Sequence, residues 1–512
     1  MTSIPASAPV AAGLPPFRAL PDLLRENAQA RPAHLALRQG AGRMSWQDLD
    51  RAADRVAATL QAHGLQPREG IAICGANSIP YVVLFLGGLR AGLVVAPLPT
   101  GATAGQLAGM VRDSGARFFF TDAAVPDCDV GVPRIRMDDA SLPQWLDASG
   151  ATEPRAVQIQ PDWAFNIIYS SGTTGTPKGI VQPHQMRWAH VARGENYGYG
   201  PEAVTLVATS LCSNTTLVSA FPCLAKGGTL VLTEGRFDPR AYLDLAQDAR
   251  ATHAMLVPVQ YQRLMACPEF DRHDLSSFRM KFCTSAPFSA HLKAQVLARW
   301  PGGLVEYYGM TEGGGTCILE AHKFPDKLHT VGKPSEGHDI RLIDEEGREV
   351  ARGEVGEVVG RSGSMMTGYR NQPEKTREAE WYDAAGNRFI RTGDVGRFDE
   401  DGFLTLMDRR KDMIISGGFN VYPSDLEAVL RGHPAVHEVA VVGVPSEAWG
   451  ETPVAFVVPD EGAPTAQELR AWANERVGKI QRLADLRYLP ELPRSDIGKV
   501  LKRQLRDGYD PA

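Results

Sequence analysis

Between Tyr169 and Gly179 the chain reads YSSGTTGTPKG, a run of hydroxyls and glycines that closes on one lysine. Ser170, Ser171, Thr173, Thr174 and Thr176 bring hydroxyl donors, Gly172 and Gly175 allow close backbone approach, and Lys178 adds a point positive charge. Such groups suit a phosphate, whose oxygens accept from amides and hydroxyls and whose charge needs a cation. A flexible Ser/Gly linker has the same composition. The apolar run just before it, WAFNIIY from Trp163 to Tyr169, reads as a buried strand that would hold the loop fixed. A Walker loop is excluded: Pro177 precedes the lysine and Gly179 follows it, where that motif needs a Ser or Thr for magnesium.

A second constellation is Glu306-Tyr307-Tyr308-Gly309-Met310-Thr311-Glu312, followed by Gly313, Gly314 and Gly315. Two adjacent tyrosines offer a flat face for a purine, or simply pack as core. Gly309 clears the approach, Thr311 offers a hydroxyl, and Glu312 is a hard oxygen ligand suited to magnesium. Further on, Arg391-Thr392-Gly393-Asp394 puts a carboxylate in a turn where it can take two hydroxyls bidentately, or ends a strand as an acidic turn. The charged run Asp408-Arg409-Arg410-Lys411-Asp412 precedes Ser416-Gly417-Gly418-Phe419 and reads as a solvated face or an inter-domain linker. Near the end stands Leu492-Pro493-Arg494-Ser495-Asp496-Ile497-Gly498-Lys499-Val500.

Taken in order, these motifs resemble those of the adenylate-forming (AMP-binding) superfamily, in its acyl-CoA synthetase and 4-coumarate–CoA ligase-like branch. The resemblance runs from about Leu23 to Lys502. It implies that residues 170–175 and Lys178 hold ATP phosphates, that Tyr308 packs on adenine, and that Glu312 binds Mg²⁺. Ser285-Ala286-Pro287 resembles the family's Gly-Ala-Pro adenine turn, with Ser replacing the first Gly; Glu306 stands where Asn or Asp is usual and would offer an acceptor to the adenine amino group. Asp394 would take the ribose hydroxyls, Arg409 would contact the nucleotide and Lys411 would be the pivot of a hinge. Gly417 and Gly418 would lie beside the thiol tunnel, Trp449 against the CoA adenine, and Lys479 and Arg482 near CoA phosphates, although the family's proline is missing from KIQRLADL. Lys499 would bridge the acid's carboxylate and the α-phosphate, with Thr311 and Lys178 as the other catalytic groups.

The implied reaction is ATP-dependent. A carboxylate attacks the α-phosphate to give acyl-AMP and pyrophosphate, and the thiolate of coenzyme A then displaces AMP after the small domain rotates. The acid-pocket segment is TSLCSNTTLV, with Cys212 and Asn214, and no Lys or Arg falls between Thr205 and Ala225. With Gly313 and Gly314 leaving room for bulk, an apolar monocarboxylic acid, medium-chain or aromatic, is expected. A stand-alone adenylation enzyme serving a carrier protein and a luciferase-like oxygenase share the motifs. A non-catalytic nucleotide-binding protein would have lost Lys499 or Glu312.

The elements that must position these residues follow from patterning. Leu49 to Leu65 has helical spacing closed at Gly64; GIAIC (70–74), RFFFT (117–121), TLVL (229–232) and HAMLV (253–257) are short β-type runs. Their alternation with helices predicts an α/β fold of parallel sheets covered by helices. From about Thr330 the texture becomes strand–turn–strand, a β-rich or barrel-like subdomain, and a small α+β unit follows Asp408. The expected division is a disordered tail at 1–15, a large domain at 16–408 (β-rich over about 330–408) and a mobile lid at 409–512. With 512 residues, 43% hydrophobic, 22% charged and a net charge of −6, the composition is that of a globular protein without a basic footprint, which excludes nucleic acid as a partner. Seven scattered cysteines with no C-x-x-C spacing suit a reducing cytoplasm. Tyr81 to Pro97 is too broken for an integral membrane segment and reads as a buried helix then a strand. Nothing in the sequence chooses between a monomer and a homodimer.

Overall fold

The computed structural model describes residues 14–170, 177–409, 412–416, 419–446, 449–494 and 500–510. The chain divides into two compact units, Met1–Ile340 with Gly360–Ile390, and Arg341–Val359 with Arg391–Ala512. Among the described residues the first unit carries two large mixed sheets. One runs in the order Lys333–Pro334, Cys317–Glu320, Gly303–Tyr308, Met280–Cys283, His253–Leu256, Val204–Val207, Thr229–Leu232, Leu35–Gln39, Gly42–Ser45. Its interior pairs are parallel and its edges antiparallel. The other runs Gly368–Tyr369, Lys178–Pro183, Ala164–Ser170, Val94–Leu98, Gly70–Cys74, Ala116–Thr121, Arg134–Arg136.

Both faces of this second sheet are covered, and one strand shows why GIAIC is apolar throughout. Ile71 and Ile73 enter a core with the helices Trp46–Ala62 and Ile79–Arg90, while Ala72 and Cys74 enter a separate core with the helix Ala104–Ser114. A strand buried on both faces has no polar side to alternate. The strands read as 70–74 and 229–232 form with those bounds, and the buried segment after Tyr81 becomes the helix Ile79–Arg90 and the strand Val94–Leu98. The helix expected from Leu49 begins at Trp46, because the Ser45 hydroxyl accepts from Asp48 N and caps it there.

In the second unit, Ile414–Ser416, Phe419–Val421, Val436–Ser446, Gly450–Pro459 and Asp485–Tyr488 form one sheet. Val439 and Val441 face a core with the helices Pro423–Arg431 and Ala466–Asn474; Ala440 and Val442 face another, closed by Leu492 and Leu505. Among the described residues no helix is long and apolar enough to cross a membrane.

Candidate active site

The strands Ala164–Ser170 and Lys178–Pro183 are antiparallel, so Ser170 and Lys178 face each other at the foot of the loop expected to hold phosphate. Ser171, Gly172, Thr173, Thr174 and Gly175 lie outside the described residues. The strand Gly368–Tyr369 continues the sheet, pairing Tyr369 with Ile180. There the Tyr369 ring lies 4.9 Å beneath Lys178 Nζ, and its hydroxyl donates to Glu312 Oε1 at 2.8 Å. Burial, and then the Glu312 charge, push the Tyr369 phenol far up, so it stays a donor. One tyrosine thus joins the lysine of the loop to the carboxylate of the second motif. Sequence reading missed it, though the signal was a Gly-Tyr pair in MTGYRNQPEKT, with Thr376 Oγ1 accepting from Tyr369 N at 2.9 Å.

Among the described residues no three His, Cys, Asp or Glu side chains gather as a metal cage. A half-buried Glu312 with one oxygen taken by Tyr369 fits Mg²⁺ nonetheless, since that ion is held by one or two carboxylates together with substrate phosphates and water.

Tyr307 and Tyr308 do not form one aromatic face. They are neighbours on the strand Gly303–Tyr308, where side chains alternate. Tyr307 stacks on Phe282 at 5.6 Å and 10°, with the Arg193 guanidinium 4.8 Å from its ring. These groups line a narrow cavity with His190, Tyr197, Tyr199 and Val218. Tyr308, on the opposite face, is half-buried. The expectation that Glu306 offers an acceptor to adenine also needs correction, because its buried carboxylate pairs with the buried ammonium of Lys293. Burial pushes that carboxyl up while Lys293 draws it down. Lys293 is further held by the carbonyls of Leu328 and Thr330 at 2.8 and 3.0 Å.

Ser285 has φ +82°, the left-handed region that glycine tolerates and serine does not favour. Its hydroxyl meets Thr215 Oγ1 at 2.5 Å, which ties this turn to the helix Asn214–Ala225. Ala286 is half-buried and Pro287 exposed. Gly309 is exposed, and a Cβ there would reach nothing closer than 3.4 Å, so packing does not require its glycine. Met310 packs against Ile180, Met366 and Tyr369.

Gly313 and Gly314 do not leave room for a bulky acid. A Cβ on Gly313 would sit 1.9 Å from the Ser364 carbonyl oxygen, on Gly314 2.8 Å from that of Gly360, and on Gly315 2.4 Å from Ile340 Cγ1. The space their missing side chains create is filled by the protein's own chain. In the segment 209–218, expected to line an acid pocket, Asn77 Nδ2 donates to Thr209 O and Asn77 Oδ1 accepts from Leu211 N, both at 2.8 Å. Cys212 Sγ lies 3.1 Å from Ser210 Oγ, and Ser213 caps the helix by accepting from Thr215 N at 3.2 Å. Asn214 Oδ1 accepts from the buried Arg187 at 2.7 Å, one contact of a polar network that no motif announced.

In the second unit, Thr392 Oγ1 donates to Val358 O at 2.9 Å and accepts from Asp394 N at 3.0 Å. Asp394 and Arg409 are register partners on adjacent strands. Trp449 is about half exposed (49%), as are Ile415 (53%) and Phe419 (60%); strand pairing of Ser416 with Gly450 brings their backbones together. Lys479 and Arg482 are exposed at a short 3₁₀ turn. Lys411, Gly417, Gly418 and Lys499 lie outside the described residues.

Comparison with known proteins agrees over nearly the whole chain. The profile of the AMP-binding enzyme family matches residues 24–370, and that of the AMP-binding enzyme C-terminal domain matches 425–499. A feruloyl-CoA synthase from Amycolatopsis sp is 33% identical over 485 residues, covering 94% of this chain and 96% of that protein. A fatty acid–[acyl-carrier-protein] ligase, ScoC, from Streptomyces coeruleorubidus is 31% identical, covering 94% and 95%. ATP-bound MatB from Rhodopseudomonas palustris superposes with a TM-score of 0.86 at 30% identity, covering 96% of this chain and 99% of that one.

Proposed function

The chain belongs to the AMP-binding enzyme family, in its acyl-CoA synthetase branch, and from that premise we propose that it converts an apolar monocarboxylic acid, medium-chain or aromatic, to its coenzyme A thioester. ATP, Mg²⁺ and CoA are the small molecules that this chemistry consumes or requires. The observation that carries the reading is the convergence on Tyr369, with Lys178 over its ring and Glu312 accepting from its hydroxyl. Residues 134 positions apart in sequence (312 − 178) thereby meet as a cation and an anion on either side of one side chain.

A carboxylate is a poor electrophile until its oxygen has attacked the α-phosphate. Both reactants are anions, so the site's task is to cancel their repulsion and align them. Lys178 and the hydroxyls and amides from Ser170 onward would hold phosphate oxygens. Tyr308 would stack on adenine, with Ser285, Ala286 and Pro287 at its edge. Thr311 and Lys499 would meet the reacting carboxylate and α-phosphate. Glu312 would hold Mg²⁺, which when bound neutralises phosphate charge. Asp394 and Arg409 would meet ribose and phosphate. Cys212 and Asn214 would line the acid pocket, and Tyr307, which shares a cavity with Val218 of the helix Asn214–Ala225, would serve the acid and not the purine.

For the second step we propose that residues 409–512 turn about Lys411, withdrawing Lys499 so that a thiol can approach. The exposed apolar side chains Ile415, Phe419 and Trp449, the first two close to Gly417 and Gly418 in sequence, support a route for pantetheine there. A cytoplasmic setting accords with this use of ATP and CoA. Lys499→Ala is expected to suppress acyl-AMP formation while sparing thioester formation from supplied acyl-AMP. The decisive assay is acid-dependent exchange of labelled pyrophosphate into ATP across a panel of carboxylic acids, followed by addition of CoA. Exchange with aromatic or medium-chain acids and thioester on adding CoA support the reading. Silence with every acid would remove it, and thioester formed only on a carrier protein would reassign the acceptor.

A further inference from the structure

Asn166 breaks the apolar run WAFNIIY and is fully buried; Gln182, fully buried too, faces it in register on the next strand. Arg187, only 2% exposed, reaches them from the helix His184–Arg193. Its Nε and Nη2 donate to Asn166 Oδ1 at 3.1 and 3.0 Å, Nη1 donates to Asn214 Oδ1 at 2.7 Å, and Nη2 also meets Gln182 Oε1. The Phe165 ring closes one side, 5.7 Å away. Among the described residues these partners are all neutral amides. A buried cation without a carboxylate is costly, so its retention calls for a reason.

Direction is that reason. An amide side chain can turn over and exchange its donor and acceptor ends, but a guanidinium only donates. Each of the three amides must therefore give Arg187 its oxygen and point its NH₂ elsewhere. Asn166 Nδ2 donates to Gln182 Oε1 at 3.0 Å, and Gln182 Nε2 donates to the main-chain carbonyl of Thr311 at 2.6 Å. Asn214, with its oxygen taken by Arg187, keeps its NH₂ for another acceptor.

We propose that Arg187 is a positioning residue for the adenylation step. It fixes the donor direction of Gln182, through Gln182 it holds the Thr311 peptide, and it clamps together the strands that enter and leave the phosphate loop. The inference rests on the adenylation reading above.

Asn166→Asp separates this role from simple packing. The new carboxylate supplies the missing counter-charge to Arg187, but its second oxygen replaces the NH₂ that faced Gln182. Gln182 is then in conflict: its oxygen, accepting from Arg187, faces the new carboxylate oxygen, and turning over to relieve that contact sets its own oxygen against the Thr311 carbonyl; either way its hold on the Thr311 peptide is disturbed. The expected result is a thermal midpoint at or above the parent's, with kcat for acid-dependent pyrophosphate exchange down by about tenfold or more and KM for ATP within about threefold. Arg187→Lys, whose ammonium cannot span all three oxygens, should lose kcat in the same direction. Either variant turning over within about twofold of the parent would overturn the assignment, since a lost or reversed hydrogen bond at Thr311 is worth more than that. So would loss of turnover only in proportion to loss of folded protein. An inactive parent, silent with every acid, would instead strike the adenylation reading and carry the inference down with it; failure of the variants alone strikes only the network.

Discussion

Replacing Tyr369 with Phe removes one oxygen from the point where Lys178 and Glu312 meet. The ring stays under Lys178, 4.9 Å away, and the main-chain bond from Tyr369 N to Thr376 Oγ1 is untouched. What goes is the 2.8 Å hydrogen bond to Glu312 Oε1. A hydrogen bond to a charged group contributes about 1.5–3 kcal/mol, and here it fixes the orientation of the carboxylate as well as its solvation. At about 1.4 kcal/mol per factor of ten, the loss corresponds to a fall of about tenfold to about a hundredfold in kcat/KM for ATP. Because Glu312 is the proposed magnesium ligand, the loss should be larger at limiting than at saturating Mg²⁺, and KM for the acid should hardly move. The assay is pyrophosphate exchange titrated with Mg²⁺ at fixed free ATP. Tyr369→Phe indistinguishable from the parent at limiting Mg²⁺ would refute the coupling of Tyr369 to Glu312.

Further outcomes follow from the same geometry. Gly309→Ala should fold normally, because its Cβ finds no atom closer than 3.4 Å, yet raise KM for ATP if the purine approaches there; Gly313→Ala, with φ +78° and a Cβ 1.9 Å from the Ser364 oxygen, should fail to give soluble protein. Equal stability of the two would contradict the packing described. At Ser285, with φ +82°, the usual order reverses: Ser285→Gly should be more stable than Ser285→Ala by about 1 kcal/mol in denaturant melts, whereas Ala is ordinarily ahead. Burial holds His184 at about 3 and His253 and His338 at about 4, against 6.5 for a free imidazole. The unfolded chain therefore binds more protons below pH 6.5, so stability is full above that value and drains as pH falls from 6.5 towards 4. His338 sharpens the effect, since its Nδ1 accepts from Thr316 N at 2.9 Å and protonation removes the acceptor. A thermal midpoint that stays flat over that window would contradict the neutral buried imidazoles.

Much of the fold was legible because buried parallel strands write themselves as short apolar runs. GIAIC and TLVL form strands with the bounds read from sequence, since every one of their residues is buried. Ends of helices were less visible where the cap lies outside the periodic stretch, as with Ser45 before Trp46–Ala62. The paired tyrosines misled because strand alternation, and not adjacency, decides which rings share a face. The glycines after Glu312 misled in another way: a missing side chain can make room for a ligand or for the protein's own backbone, and only the 1.9 Å approach of Ser364 to the Gly313 Cβ position tells which. Arg187 was invisible because its partners Asn166, Gln182 and Asn214 come from three separate segments. Asn166, the one polar residue in the middle of WAFNIIY, was the trace it left.

In the proposed reaction the acid's own oxygen attacks the α-phosphate before any thiol acts. Running it with a carboxylic acid labelled with ¹⁸O in both oxygens traces that bond. The products should be AMP carrying one labelled oxygen and pyrophosphate carrying none. Label in pyrophosphate or free phosphate, or ADP in place of AMP, would contradict it.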